Sequence, residues 1–342
     1  MKRIGLFGGS FDPVHIGHLR IALDAKRQLG LSEVWFLPAL VAPLKEGRPV
    51  AFAHRCEMIR RIISPYRKLK ICTIEETLAQ PNYTIHTVMA LQTLYPEAKF
   101  IWIMGSDQAD QFDLWKEKDK LKTLIQFCVY PRHKDDTIPA GMISLKFNDY
   151  LRYSSTEIRK GKVSLTSPKV VRYMMENGLY VDEIARSMVG VKRWKHVNSM
   201  RDLALQIAQS HGIDASKTNL AALFHDCMKT QPQSRLKAIL ERYEPAYLAK
   251  DAAFWHQRAG MYIAHKELYI RNRSVLAAIG NHVEGKSADP IAKIIYLADK
   301  LDASRGYDSS HQIKLALQDL DAALRLVKKQ QQEHLLREGI DA

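Results

Sequence analysis

One change of rhythm limits what this chain can become. Up to about residue 180, short β-rich runs alternate with amphipathic helical stretches; after Tyr180 the strand signals stop. Strands are expected at 3–7, 34–37, 69–73, 100–104, 124–130 and 143–147, with helices at 19–29, 52–63, 84–94, 155–159 and 169–177, the last closed by Gly178. That alternation predicts βαβ units around a parallel sheet, a doubly wound α/β layer. From there on, helical periodicity is broken only by short loops such as Gly212-Ile213-Asp214 and 285–290. It predicts an all-α unit, so the expected domains are 1–180 and 181–342. A chain of 342 residues is long enough to give each a core.

Composition narrows the classes of function. The N-terminal apolar run breaks at glycines too early for a signal-peptide core, and no later run approaches membrane-spanning length, which predicts a cytoplasmic protein. Cys56, Cys72, Cys128 and Cys227 lie far apart with no C-x-x-C pair, so neither a thiolate zinc site nor a disulfide framework is expected. The net charge of +14 is spread evenly: 28 Lys+Arg face 20 Asp+Glu up to residue 187, and 23 face 17 beyond it. An even excess without a basic arm suits a solvated surface with some phosphate contacts better than a nucleic-acid stripe.

Directly after the first strand stands Gly8-Gly9-Ser10-Phe11-Asp12-Pro13-Val14-His15-Ile16-Gly17-His18, a glycine turn leading into a helix. It lies at the carboxyl edge of the expected sheet, where open α/β sheets bind ligands. The string matches neither the G-x-G-x-x-G fingerprint nor the G-x-x-x-x-G-K-[ST] loop. Small residues at 8–10 let backbone N–H groups approach a phosphate, and a helix starting near Gly17 aims its positive dipole there. His15 and His18, three apart, can both face that anion as donors. The plainer alternative is a pair of helix-capping or zinc-ligating histidines, though nothing nearby offers further zinc ligands at suitable spacing. Ser154, Ser155 and Thr156 begin another short helix, whose hydroxyls and free amides suit an anion; an ordinary N-cap would account for one serine.

Together with Pro81-Asn82-Tyr83-Thr84, Gly105-Ser106-Asp107 followed by Trp115, Pro131-Arg132 and 153–159, this loop resembles the nucleotidyltransferases with an H-x-G-H signature. Within them it is most similar, over residues 2–180, to the nicotinate-nucleotide adenylyltransferases. Pantetheine-phosphate adenylyltransferases and cytidylyltransferases share the His-x-Gly-His element but differ around Tyr83-Thr84 and Trp115. Class I aminoacyl-tRNA synthetases share the literal string, yet their partner lysine motif and length are absent. The resemblance implies a Rossmann-like domain that joins AMP from ATP to nicotinate mononucleotide, with Mg²⁺, in-line attack on the α-phosphorus and pyrophosphate leaving. It implies His15 and His18 at the α-phosphate, with Gly8, Gly9, Ser10, Phe11, Ser154, Ser155, Thr156 and Arg159 around ATP. Around the mononucleotide it implies Lys45, Tyr83, Thr84, Gly105, Asp107, Trp115 and Arg132. Trp115 would stack on the pyridine ring and the Tyr83-Thr84 backbone would meet its carboxylate, although a lone Trp is more often core. The family often has Pro-His-Lys where this chain has Pro43-Leu44-Lys45, which leaves open the choice between nicotinate and nicotinamide mononucleotide.

In the helical half, His225-Asp226 ends an apolar helix, where a buried charge is costly unless it meets a metal or partner. His196, His256, His282 and Asp299 could join it, and mixed His/Asp ligands suit Fe, Mn, Co, Mg or Zn, in a two-metal centre if several converge. His211, His265, His311 and His334 are expected to be ordinary surface or core residues. Residues 181–320 resemble the HD-domain phosphohydrolases, most closely the bacterial branch that cleaves diadenosine tetraphosphate symmetrically. This implies a divalent metal pair, water attack on phosphorus, and Lys229 and Arg305 on the phosphate oxygens. The match is loose after His256, where Gln257-Arg258-Ala259 stands in place of the usual glycine. Rival readings are another phosphate acceptor, an HD unit that senses nucleotides without cleaving them, and a nucleic-acid binder. A homo-oligomer is compatible with all of them.

Overall fold

The computed structural model describes residues 1–40, 49–146 and 153–337, with side chains as far as residue 333. The chain folds as two compact units, residues 1–158 with 162–170, and residues 159–161 with the chain from Val171 onward. The division falls within a helix some ten residues before the change of periodicity at 181.

The first unit contains β1 (Lys2–Gly9), α1 (Ile16–Gln28), β2 (Glu33–Pro38), α2 (Phe52–Ile63), β3 (Leu69–Ile71), α3 (Thr84–Leu94) and β4 (Ala98–Gly105). There follow α4 (Ser106–Ala109), α5 (Lys118–Leu124), β5 (Gln126–Tyr130), β6 (Ile143–Ser144), α6 (Ser155–Arg159) and α7 (Pro168–Glu176), the last two crossing into the second unit. The six strands pair in parallel in the order β3-β2-β1-β4-β5-β6, with Phe7 beside Phe36 on one flank and Ile103 on the other. Strands covered by helices on both faces carry continuous apolar runs, as β2 does with all six residues buried. The order reverses between β1 and β4, so the loops leaving these strands open a crevice at one sheet edge. The expected strand at 124–130 starts two residues late because Leu124 closes α5, and the strand at 143–147 is only two residues long within the described residues.

Arg55 interrupts the apolar face of α2 and is 1% exposed. Its Nη1 donates to the Ser10 carbonyl at 2.8 Å, Nε to Val50 at 3.0 Å and Nη2 to Leu40 at 3.3 Å. Asp12 accepts the Val50 N–H at 3.2 Å, and Glu75 accepts that of Leu40 at 2.9 Å. A buried guanidinium thus ties the loop after β1 to the chain that follows β2.

The second unit consists of α8 (Val181–Ser210), α9 (Ala215–Phe224), α10 (Gln233–Tyr243), α11 (Trp255–Lys266), α12 (Arg273–Asn281), α13 (Pro290–Leu301), α14 (Ser310–Gln318) and α15 (Leu320–Arg337). Gly190 interrupts α8 at φ 74°, a conformation that favours glycine. Asp214, Asn272 and Asp289 cap α9, α12 and α13 by accepting first-turn amides. Helix α13 is central: nine of its twelve residues are buried, Asp299 among them. No described helix is long and apolar enough to cross a membrane. Cys56, Cys128 and Cys227 are buried, Cys72 is half-buried, and none is paired.

Replacing Arg55 by Met leaves three loop carbonyls without their donor, a loss expected to cost about 3 kcal/mol. In calorimetry the first unit's Tm should drop by roughly 6–12 °C, and less in Arg55→Lys. An unchanged Tm in Arg55→Met would show that the loop holds without it.

Candidate functional site

In the first unit, His15 is the N-cap of α1 and His18 its third residue. Each imidazole Nδ1 accepts the other's backbone N–H at 3.2 Å, and the rings stack with centroids 3.5 Å apart. The capping alternative is therefore real, and it is compatible with anion binding. Because both Nδ1 atoms act as acceptors, the neutral rings carry their protons on Nε2, which leaves two N–H donors. Burial pulls the His15 pKa down to about 3, and Arg132 adds to the effect. Gly17 is required locally: a Cβ there would lie 2.8 Å from Tyr153 Cβ and 3.0 Å from His15 Nδ1.

The structure redistributes several expected roles. A Cβ on Gly8 would strike the Trp102 ring at 2.6 Å and one on Gly9 the Phe11 ring at 3.0 Å, so both glycines are already demanded by packing. Phe11 turns inward, 2% exposed, with its ring 4.9 Å from that of His18; a nucleotide could meet only its backbone. Ser10 offers its carbonyl to Arg55. Ser155 Oγ donates to the Pro13 carbonyl at 2.8 Å, and Thr166 Oγ1 to that of Val14 at 2.8 Å, so these hydroxyls pin the loop. Ser154 is half-buried beside them, Thr156 is exposed, and Arg159 ends α6 within the second unit. Lys45 and Leu44 lie outside the described residues.

On the β4 and β5 side, Arg132 Nε donates to Asp107 Oδ1 at 2.9 Å, and a Cβ on Gly105 would sit 2.5 Å from the same oxygen. Asp136, missed by the sequence reading, anchors this corner by accepting the N–H groups of Arg132 at 2.7 Å and His133 at 2.9 Å. Trp115 packs against Phe112, Trp102 and Phe127, so much of its ring belongs to the core, as a lone Trp usually does. Tyr83 precedes α3 without a side-chain cap on its amides; Lys116, also missed, holds its ammonium 4.4 Å from the Tyr83 ring centre.

In the second unit, all six residues expected as ligands converge. His225 and His282 are the C-caps of α9 and α12, and His256 follows a 3-10 turn at the start of α11. Their Nδ1 atoms lie 2.7 Å from Ala222 O, 2.8 Å from Ile279 O and 2.9 Å from Ala253 O. A carbonyl can only accept, so each Nδ1 carries a proton, and in the neutral ring that a metal ligand requires each Nε2 presents a lone pair. His256 Nε2 and His282 Nε2 are 3.2 Å apart and lie 3.5 and 3.4 Å from Asp226 Oδ1. Donors about 2.1 Å from one ion subtend edges of roughly 3.0–3.4 Å. Two facing lone pairs and a carboxylate oxygen repel unless a cation joins them, and Asp226 Oδ1 and His225 Nε2 are buried without a hydrogen-bond partner. The residues present fit a metal.

A second group shares Asp226 and comprises His196 and His225, with Asp299 Oδ1 3.1 Å from His196 Nε2 and 4.0 Å from His225 Nε2. Burial works to raise the pKa of Asp299, but Lys300 and His196 hold it well below the usual carboxylate range. Asp226 behaves likewise, with burial opposed by His225 and His282. Arg193 places Nε and Nη2 on Asp226 Oδ2, and Arg305 Nη2 lies 2.8 Å from Asp299 Oδ1. Lys229 is exposed nearby; its pKa is lowered by surrounding protein, against the pull of Asp226. Asp302, buried and 2.9 Å from His196 Nδ1, was overlooked because its role depends on a helix 106 residues away.

Comparisons with known proteins agree with this division. The cytidylyltransferase-like family model matches residues 6–161 and the HD domain model residues 193–304. A Methylacidiphilum infernorum protein named nicotinate-nucleotide adenylyltransferase, qualified as probable, is 36% identical over 52% of this chain and 92% of its own. The chain belongs to the nicotinate-nucleotide adenylyltransferase family. A Mycoplasma genitalium member, named nicotinate-nucleotide adenylyltransferase/Ap4A hydrolase with the same qualification, is 27% identical over 96% of this chain and 97% of its own. A solved Clostridium acetobutylicum protein, described as a predicted HD superfamily hydrolase involved in NAD metabolism, is 28% identical. It covers 47% of this chain and 88% of its own, with a TM-score of 0.44.

The reciprocal capping in this family member makes a definite statement about protons. Free of ligand, His15 should remain the neutral Nε2–H tautomer across roughly pH 5–8 in ¹⁵N NMR. Its folded pKa lies below the unfolded value of 6.5, so the unfolded chain takes up the proton first. Its contribution to stability is therefore intact above pH 6.5 and declines as pH falls from there toward 3. A His15 that titrates near 6.5 would contradict the capping geometry.

Proposed function

We propose that the chain is a bifunctional enzyme of the NAD pathway, located in the cytoplasm with its phosphorylated substrates. In the first unit, a phosphate oxygen of nicotinate mononucleotide attacks the α-phosphorus of ATP. The bond to the bridging oxygen breaks, giving deamido-NAD and pyrophosphate. The observation that carries this is the His15/His18 pair, whose backbone bonds to Nδ1 put the protons of the neutral rings on Nε2, beside the loop that leaves β1 where the sheet order reverses. They steady the charge that grows on the α-phosphate. Arg132, held by Asp107 beside Gly105, adds positive charge, and Ser154 and Thr156 would serve the outer phosphates. Mg²⁺ would neutralise the phosphates in transit. The uncapped amides of α3 at Tyr83-Thr84, with Lys116 above, favour the nicotinate carboxylate over the amide, with the exposed part of Trp115 against the ring. Lys45 is a further cation for the mononucleotide.

In the second unit, His196, His225, Asp226, His256, His282 and Asp299 would hold two divalent ions, with manganese, iron, cobalt and magnesium as candidates. The ions supply an activated water near neutral pH and neutralise phosphate charge. The chain's own part is to align diadenosine tetraphosphate through Arg193, Lys229, Lys300 and Arg305, so that water attacks a central phosphorus. The bridge between the second and third phosphates then breaks, giving two ADP. Cleavage at an outer bridge would give AMP and ATP instead.

His18→Ala should stay folded and lose about a hundredfold or more of dinucleotide synthesis, as expected for one lost charge-stabilising donor. Asp226→Ala should lose metal and hydrolysis while synthesis persists. Both activities are to be assayed in both variants, with manganese added and with nicotinate and nicotinamide mononucleotide compared. Wild-type-like synthesis in His18→Ala, or hydrolysis surviving in Asp226→Ala, would overturn the respective assignment, and loss of both from either change would mean a shared site.

A further inference from the structure

We propose that Gln257 is a positioning residue that fixes the triangle of Asp226, His256 and His282, by bonding together the two segments that carry the histidines. The proposal rests on the reading of that triangle as a metal subsite. Gln257 follows His256 in α11 and is fully buried, at 0% exposure. Its Oε1 accepts the N–H of Val283, the residue after His282, at 3.0 Å. Its Nε2 donates to Glu284 Oε2 at 2.9 Å and to Tyr247 Oη at 2.6 Å, and Tyr247 Oη donates to the same Glu284 oxygen at 2.7 Å. Both amide hydrogens and an oxygen lone pair are thus engaged, which sets the amide's orientation.

The end of α12 shows why the bond matters. In a continuing helix the Val283 N–H would donate to the carbonyl of Ile279, four residues back. Here that carbonyl receives His282 Nδ1–H, and the Val283 N–H turns to Gln257 instead. The bond that orients the imidazole and the bond that holds the following backbone are therefore paired across the helix end. Because Gln257 is itself adjacent to His256, the 3.2 Å separation of the two Nε2 atoms is set through this one side chain. His196 and His225 do not depend on it: their Nδ1 atoms face Ser304 Oγ and Ala222 O. Loosening Gln257 should thus disturb one group of ligands and spare the other.

The test is manganese binding to the full chain, by calorimetry for stoichiometry and by electron paramagnetic resonance for the coupling of a neighbouring pair. Wild type should bind two ions. Gln257→Leu, which keeps the volume and removes the amide, should hold one ion at nearly wild-type affinity, bind the other about ten- to a hundredfold more weakly, and lose the pair signal at limiting manganese. Two ions bound with wild-type affinity in Gln257→Leu would overturn the proposal. So would equal weakening of both, which a merely structural role predicts. If the leucine variant does not fold, Tyr247→Phe decides: it should weaken one ion by less than tenfold, and unchanged binding overturns the proposal. Fewer than two ions in wild type would overturn the subsite reading, and this inference with it.

Discussion

An imidazole has two nitrogens, and in both units the backbone takes possession of one of them. Which backbone group does so decides what the other nitrogen can bind. At the start of a helix the free groups are N–H donors; at its end they are carbonyl acceptors. His15 and His18 stand at the start of α1 and accept amide protons on Nδ1, so in the neutral ring Nε2 keeps its hydrogen and can only donate. His225 and His282 stand at the ends of α9 and α12 and give their Nδ1 protons to carbonyls, so Nε2 offers a lone pair to a cation. His256 follows the same rule through the 3-10 turn that precedes α11.

The scaffold exists to keep these nitrogens in place against the cost of burial. An imidazole stacked on its neighbour, as His15 is on His18, cannot shift without giving up its bond to the neighbour's backbone N–H. Its surroundings are then fixed by groups with no part in chemistry. Phe11 forms the floor under His18, Tyr153 presses on Gly17, and Arg55 binds the carbonyl of Ser10. In the second unit the same task falls to carboxylates. Asp299 lies in α13, nine of whose twelve residues are buried, and Lys300, His196 and Arg305 keep it charged there. A buried carboxylate with that many positive neighbours is stable as an anion, which is the form a metal ligand needs.

Much of this was legible before any coordinates. Helices α2, α3 and α6 have the bounds that periodicity assigns, since their apolar faces repeat without competing signals. The H-x-G-H loop and the His225-Asp226 pair are local strings, and local strings survive in a sequence. What could not be read depends on partners far away in the chain. Arg55 looks like a surface charge until Ser10, Leu40 and Val50 surround it, although its place on the apolar face of α2 was a usable sign. Asp302 and Asp136 are ordinary loop acids whose meaning comes from His196 and from the amides after β5. Gln257 read as a departure from a family pattern, and only the fold shows that Val283 and Glu284 lie within its reach. The Ser155 hydroxyl and the Phe11 ring show the converse, since side chains adjacent to a loop's chemistry can serve the loop itself.

Helix polarity would have sharpened the reading of His15 and His18, where anion donation, capping and zinc stood as alternatives. A histidine beside free amides is poorly placed to present a bare Nε2, which argues against zinc without any count of further ligands. By itself the rule is insufficient, as His211 demonstrates. It is the C-cap of α8, yet its Nε2 lies 2.7 Å from the carbonyl of Ala316. That nitrogen must carry a proton to bond there, so no lone pair remains on it for a metal. The carboxylate of Asp319, which interacts with it through charge, is exposed and solvated. His225 and His282 differ in having Asp226 fully buried beside their Nε2 atoms. The helix end selects the nitrogen, and the buried carboxylate selects the cation; where the second is missing, the first yields an ordinary hydrogen bond.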